Sequence, residues 1–117
     1  MSTTTIWHNP KCAKSREGLE ILQTSGCDFE TLKYLDTTIT AGQIQELLKL
    51  LGISAHELMR TKEDIYKELD LKNETDENRL IQAMAQHPKL IERPIVIQGN
   101  RAIIGRPSSR IVEFLKS

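Results

Sequence analysis

No stretch of this 117-residue chain comes near the roughly 18 to 20 consecutive apolar residues that a membrane helix requires. The start, Met1-Ser2-Thr3-Thr4-Thr5, carries neither the basic nor the apolar part of a secretory signal. A soluble, cytoplasmic protein with no membrane partner is the expectation. Net charge is missing too: 16 basic and 16 acidic residues balance. No overall field therefore draws the chain to nucleic acid, and any bound anion must be held by local groups. Cysteine is scarce, with Cys12 and Cys27 the two present. A chain of this length buries an ordinary core without a disulfide framework, and a reducing compartment keeps both residues as thiols. Reactivity is then the property to ask of them. A metal site lacks its ligands: His8 and Cys12 are spaced by four, His56 and His87 stand apart, and the set of four nitrogen or sulfur ligands that zinc takes cannot be assembled. Repeats, low-complexity tracts and linkers are absent, so one domain over 1–117 is expected.

What is present reads as alternating strand and helix. Thr3 to His8 is β-branched and aromatic, a strand that runs into the loop Asn9-Pro10-Lys11-Cys12. A helix follows, with Leu19, Ile21 and Leu22 on its apolar face and Gly26 as its stop. Phe29 to Tyr34 reads as a second strand, completing a right-handed βαβ unit. From Thr40 the period changes. Thr40 with Gln43 forms a capping box, Ile44, Leu47, Leu48 and Leu51 share one helical face, and Gly52 ends it. Ser54 with Glu57 repeats the box, a short helix falls around Asp64 to Leu69, and a longer one runs from about Asp76 to Gln86, stopping before Pro88. An all-helical insertion over about 40–87 results.

Ile95-Val96-Ile97 and Ala102-Ile103-Ile104 then flank Gly99-Asn100, whose leading glycine suits a type II′ hairpin turn. Pro107 suits the first turn of a last helix, with Ile111, Val112, Phe114 and Leu115 available to pack. The hairpin should extend the parallel pair into a mixed four-stranded sheet flanked by the first and last helices. This is an α/β fold of thioredoxin-like arrangement with a helical insertion. In that arrangement a proline opening a strand near the thiol is cis, so a cis Arg93-Pro94 bond is expected.

Cys12 sits where a strand ends and a helix begins, facing the unpaired N–H groups and positive dipole end of that helix, which favour thiolate over thiol. Lys11, Lys14 and Arg16 add positive charge nearby. The same N–H groups suit an oxyanion, with the Ser15 hydroxyl as a further donor. An isolated cysteine is as readily a small buried hydrophobe, and an arginine taken alone is more often a solvated surface residue. Yet Arg60 follows a helix end, Arg93 precedes the expected cis-proline and Arg106 precedes Pro107, and a planar guanidinium holds oxyanions by paired hydrogen bonds.

The run His8-Asn9-Pro10-Lys11-Cys12-Ala13-Lys14-Ser15-Arg16 resembles the nucleophile loop of the glutaredoxin-coupled arsenate reductase family. Gly52-Ile53-Ser54 leading to Leu58-Met59-Arg60, then Gln86-His87-Pro88, Leu90-Ile91-Glu92-Arg93-Pro94-Ile95-Val96 and Arg106-Pro107-Ser108 extend the likeness over almost the whole chain. The resemblance implies that Cys12 is the nucleophile, that His8 and Ser15 support its thiolate, and that Arg60, Arg93 and Arg106 bind the oxyanion. It implies arsenate or a related oxyanion as substrate, no bound cofactor, glutathione as cosubstrate and glutaredoxin as partner. One departure is length, since family members with established activity often carry a C-terminal extension.

Cys27 lies fifteen positions from Cys12, roughly 20 Å along a helix at about 1.5 Å per residue, far beyond the ~7 Å that a disulfide spans. It reads as structural, which calls for an external reductant. Two other readings stand beside the reductase. A related family of regulators shares this fold and binds RNA polymerase without catalysis, but its redox-sensing members typically carry Cys-x-x-Cys, and Cys12-Ala13-Lys14-Ser15 lacks the second thiol. Another is a glutathione-linked thiol reductase with a different substrate.

Overall fold

The computed structural model describes residues 4–26 and 28–116. The described chain divides into two compact units, one drawn from residues 1–37 and 93–117, the other from 38–92. Cys27 lies outside the described residues.

The first unit holds strands β1 (Thr4–Trp7), β2 (Glu30–Leu32), β3 (Ile95–Gln98) and β4 (Arg101–Ile104), with helices α1 (Ala13–Ser25) and, at the C-terminal end, α6 (Ser109–Lys116). The sheet order is β2-β1-β3-β4. β1 pairs in parallel with β2 in the register Ile6 to Thr31, and antiparallel with β3 in the register Ile6 to Val96. β3 and β4 form the hairpin, Val96 opposite Ile103. Gly99 takes φ 60° in the two-residue turn, a conformation open to glycine, while Asn100 stays at negative φ, as a type II′ turn requires.

One face of this sheet is the core. Ile6 and Val96, side by side on neighbouring strands, pack with Leu22 of α1 and with Ile111 and Phe114 of α6, and Leu19, Ile21, Phe29, Ile103 and Leu115 close around them. The period-two alternation of β1 sends Ile6 into this cluster and Trp7 to the other face, where its ring stacks on Tyr34 at a centroid distance of 6.1 Å. β2 is shorter than the sequence suggests. Phe29 turns into the core and Lys33 already opens a turn, accepting from the Asp36 N–H at 2.9 Å.

The second unit is the insertion, with α2 (Ala41–Leu51), α3 (Ala55–Leu58), α4 (Asp64–Glu68) and α5 (Glu77–Gln86). The Thr40 capping box is formed in both directions, Gln43 N–H to Thr40 Oγ1 at 3.1 Å and Thr40 N–H to Gln43 Oε1 at 2.8 Å. At Ser54 the box is only half made. Ser54 caps the Glu57 N–H, but Glu57 accepts the Ser54 hydroxyl, and the Ala55 N–H is taken by Glu77 instead. Ile44, Leu47, Leu48, Leu80, Ile81 and Met84 are buried, as their helical spacing requires.

The insertion runs further than the pattern suggests and is not wholly helical. After α5 stops at His87, a single 3₁₀ turn over Pro88–Leu90 leads to Ile91, which forms an antiparallel bridge with Met59. None of the described helices is long and apolar enough to cross a membrane.

Candidate active site

The end of β1 and the start of α1 are built as one piece. Past Trp7, the His8 N–H continues the parallel ladder to the Leu32 carbonyl at 2.9 Å. The chain then turns: Asn9 Oδ1 accepts from the Lys11 N–H at 3.1 Å, and the Asn9 carbonyl accepts from the Cys12 N–H at 3.0 Å. An asparagine ahead of a proline is suited to such a side-chain-closed turn. Cys12, at φ −101° and ψ 124°, is the N-cap of α1, and its carbonyl accepts the first helical bond from Arg16.

Ser15, in the first turn of α1, is fully buried. Its Oγ accepts from the Asn9 N–H at 2.9 Å and lies 2.7 Å from Nδ1 of His8, itself 4% exposed. Burial lowers the His8 pKa. A hydrogen bond with the Ser15 backbone opposes the shift, and the charges of Lys33 and Arg16 reinforce it. Nδ1 of the ring and the Ser15 hydroxyl share one hydrogen bond. The hydroxyl is therefore committed inward. The sequence reading gave it to an oxyanion; instead it ties strand to helix.

Cys12 is half-buried. Burial pushes its thiol pKa up, but the Ser15 N–H, the charge and hydrogen bond of the Arg93 guanidinium, and the Lys14 N–H together hold it below the ordinary value. The sulfur makes no formal capping bond, so the two amides act on it as aligned dipoles at the helix mouth. The side-chain charges of Lys11, Lys14 and Arg16, which the sequence suggested, are not among the causes of this shift; all three residues are exposed, and the Lys14 ammonium pairs with Glu17 at 3.8 Å. The charge beside the sulfur comes from Arg93, eighty-one positions away.

Arg93 is aimed by what surrounds Pro94. The Arg93-Pro94 bond is cis, as expected from sequence, and the Pro94 carbonyl accepts from the Gly105 N–H at 2.8 Å. Gly18 and Gly105 give the space: a Cβ on Gly18 would stand 2.9 Å from Pro94 Cγ, and one on Gly105 2.5 Å from Ile111 Cδ1. Arg93 Nε and Nη1 are buried and meet no hydrogen-bond acceptor among the described residues. Arg106 is half-buried on the turn that follows β4, directly after Gly105, and its N–H bonds the Ile104 carbonyl. The Arg106-Pro107 bond is also cis and α6 begins only at Ser109, so Pro107 lies in the turn ahead of the helix rather than inside its first turn.

Arg60 belongs to the second unit. Its N–H bonds the Leu90 carbonyl at 2.7 Å, and its guanidinium is engaged by Glu63 at 3.2 Å and Glu92 at 3.5 Å. Sequence reasoning missed these two carboxylates, whose signal was the i,i+3 spacing of Glu63 from Arg60. It also missed the loop-shaping role of Asn9. His56 and His87 serve structure: His56 Nε2 lies 2.8 Å from the Glu74 carbonyl, and the His87 N–H caps α5 through Ala83.

A half-buried thiol of lowered pKa at the mouth of the first helix, with a guanidinium carried by a cis-proline segment, marks a thiol protein of thioredoxin-like fold. Residues 7–114 match the model of the ArsC family, and the chain belongs to that family. It is 50% identical over 112 residues to the uncharacterized protein YfgD of Escherichia coli K12, covering 94% of each chain. To the arsenate reductase of Neisseria meningitidis serogroup A it is 44% identical, covering 94% of this chain and 96% of that one. The solved arsenate reductase from Vibrio cholerae superposes with a TM-score of 0.91 at 42% identity, over 95% of this chain and 96% of its own.

Proposed function

We propose that the chain is a thiol-dependent arsenate reductase with Cys12 as nucleophile and glutathione and glutaredoxin as external reductants. The observation that carries the reading is Arg93, whose guanidinium stands beside the Cys12 sulfur with two buried nitrogens, Nε and Nη1, unmatched among the described residues. Buried donors of this kind call for an acceptor, and a tetrahedral oxyanion supplies several. Relatives at 42–44% identity named arsenate reductase supply the choice of arsenic.

The chemistry balances with these parts. The Cys12 thiolate attacks As(V), forming an S–As bond while one arsenate oxygen leaves as water. Arg93 offsets the charge, with Arg106 assigned the same task. A glutathione thiolate then attacks the Cys12 sulfur, and the S–As electron pair stays on arsenic, giving As(III) and a Cys12–glutathione disulfide. Glutaredoxin takes the glutathione and restores the thiolate. Preorganised donors at such a centre are worth about 3 to 4 kcal/mol each. His8 and Ser15 act by position, holding the Ser15 N–H against the sulfur.

The deciding experiment is glutathione- and glutaredoxin-coupled NADPH consumption with arsenate, set against other oxyanions and glutathione mixed disulfides. Arsenate turnover that vanishes in Cys12→Ser is the expected result. Turnover of mixed disulfides alone, or of nothing in the panel, overturns the reading.

A further inference from the structure

Strand register brings a row of basic residues to the end of the sheet that carries the thiol. Trp7 pairs with both Leu32 and Ile95, and Ile95 pairs with Ile104, so β1, β2 and β4 finish and β3 starts at that one end. Each finishing strand is followed by a cation. Lys33 comes directly after β2, Lys11 and Arg16 lie in the loop and helical turn beyond β1, and Arg110 lies in the first turn of α6, beyond β4. All four are exposed, and none has an ion-pair partner among the described residues. Glu17 is engaged by Lys14 instead, at 3.8 Å. Asp28 and Glu30 lie at the opposite end, where β2 begins. The first unit is therefore polarised along its strands, although the chain as a whole is neutral.

The sulfur does not account for this row, since its ionisation is favoured by Arg93 and two amides. Like charges gathered on one surface repel each other, and an anionic surface brought against them is attracted from a distance. The width of the row indicates the size of that partner. Neighbouring strands lie about 4.8 Å apart, so the sheet measures about 14 Å from β2 to β4. Glutathione, a tripeptide, reaches roughly 11 Å when fully extended, and it carries an ammonium of its own. A folded protein that brings a thiol to Cys12 covers the whole row. A nucleic-acid strand answers the charge but has no use for the sulfur.

We infer that Lys11, Arg16, Lys33 and Arg110 form a docking surface for the carboxylate-rich rim of the thiol–disulfide oxidoreductase that restores Cys12. The inference rests on the proposed thiol cycle and adds the charge of its protein partner. In the docked pair the partner's thiolate attacks the glutathione sulfur of the Cys12–glutathione disulfide. The Cys12 sulfur leaves as thiolate, and the glutathione passes to the partner as a new mixed disulfide. Exposed charges of this kind act on the rate of encounter, so their effect is read in a second-order rate constant and in its dependence on salt.

The test starts from the preformed Cys12–glutathione disulfide, so it does not depend on arsenate turnover. Its single-turnover reduction is followed with glutaredoxins whose surfaces run from acidic to basic, at about 20 and 200 mM salt. Acidic glutaredoxins are expected to react fastest. With them the double variant Lys33→Gln/Arg110→Gln should lose about three- to tenfold in rate at low salt and little at high salt. Lys116→Gln, an exposed cation at the other end of α6, should match the wild type, and reduction by dithiothreitol, which is uncharged, should be equal in all three. Equal rates with acidic and basic glutaredoxins, an equal loss in Lys116→Gln, or a loss that extends to dithiothreitol overturns the inference. So does an oligonucleotide that binds the wild type and is released by the same double substitution. A wild type that shows the expected pattern yet turns over no arsenate overturns the choice of arsenate and leaves the docking surface in place.

Discussion

Oγ of Ser15 lies 2.7 Å from Nδ1 of His8, joining the end of a central strand to the first turn of the helix that bears the thiol. The same oxygen accepts the Asn9 N–H, so one hydroxyl satisfies two groups that have left water. Ser15→Ala would leave the Asn9 N–H and the His8 ring nitrogen unpaired. Chemical denaturation is expected to show a loss of about 1–3 kcal/mol, the cost of orphaned buried polar groups. A loss under about 0.5 kcal/mol would mean that the hydroxyl is not a tie.

Arg93 is the side-chain cation that lowers the Cys12 pKa. Removing a positive charge beside an acid disfavours its ionised form, so Arg93→Ala moves the thiol pKa up, and Arg93→Lys, which keeps a charge but not the fork, falls between. Alkylation by iodoacetamide at neutral pH should slow by about three- to tenfold in Arg93→Ala. The thermal midpoint should move little. Equal alkylation rates across pH in wild type and variant would detach Arg93 from the sulfur.

The same pKa sets a pH dependence of stability. The folded thiol ionises at lower pH than the unfolded one, so between the two values the unfolded chain binds more protons and stability rises with pH. This contribution is fully present above the ordinary thiol pKa and is lost as pH falls through the folded one. Cys12→Ser lacks it, and serine is the better N-cap. Relative to that variant, wild type should therefore be equal or weaker at acid pH and should gain ground as pH climbs toward the alkaline thiol range. A pH-independent difference between their denaturation midpoints would refute the lowered pKa.

Much of this was legible in the residues because it is local. The Thr40 box, the glycine stops at Gly26 and Gly52 and the Gly99 turn depend on near neighbours, and each formed as its sequence requires. The parallel pairing of β1 with β2 followed from the βαβ order. Failures arose where distant segments decide. Lys11, Lys14 and Arg16 are adjacent to Cys12 in sequence, yet the cation that acts on the sulfur is Arg93. The direction of the Ser15 hydroxyl depends on His8, seven residues back across a turn. The Glu92 carboxylate on Arg60 depends on a bridge that joins residues 59 and 91, which no period announces.

Gly105 bears on the site through packing alone. A methyl group there would stand 2.5 Å from Ile111 Cδ1, 2.7 Å from Ile111 Cγ1 and 3.2 Å from Pro94 Cγ, and Ile111 is fully buried and cannot swing away. Overfilling a packed core costs about 1–3 kcal/mol, and Gly105→Ala should fall in that range by chemical denaturation. Its nearest escape is to push on Pro94 and thereby on Arg93, so the arsenate KM should rise as stability falls. Adding Ile111→Val removes Cδ1, the closest contact, and should return part of both losses even though valine alone destabilises a core by about 0.5–1.5 kcal/mol. A double variant that is weaker than Gly105→Ala by the full valine cost would show that Ile111 does not mediate the effect, because independent sites add.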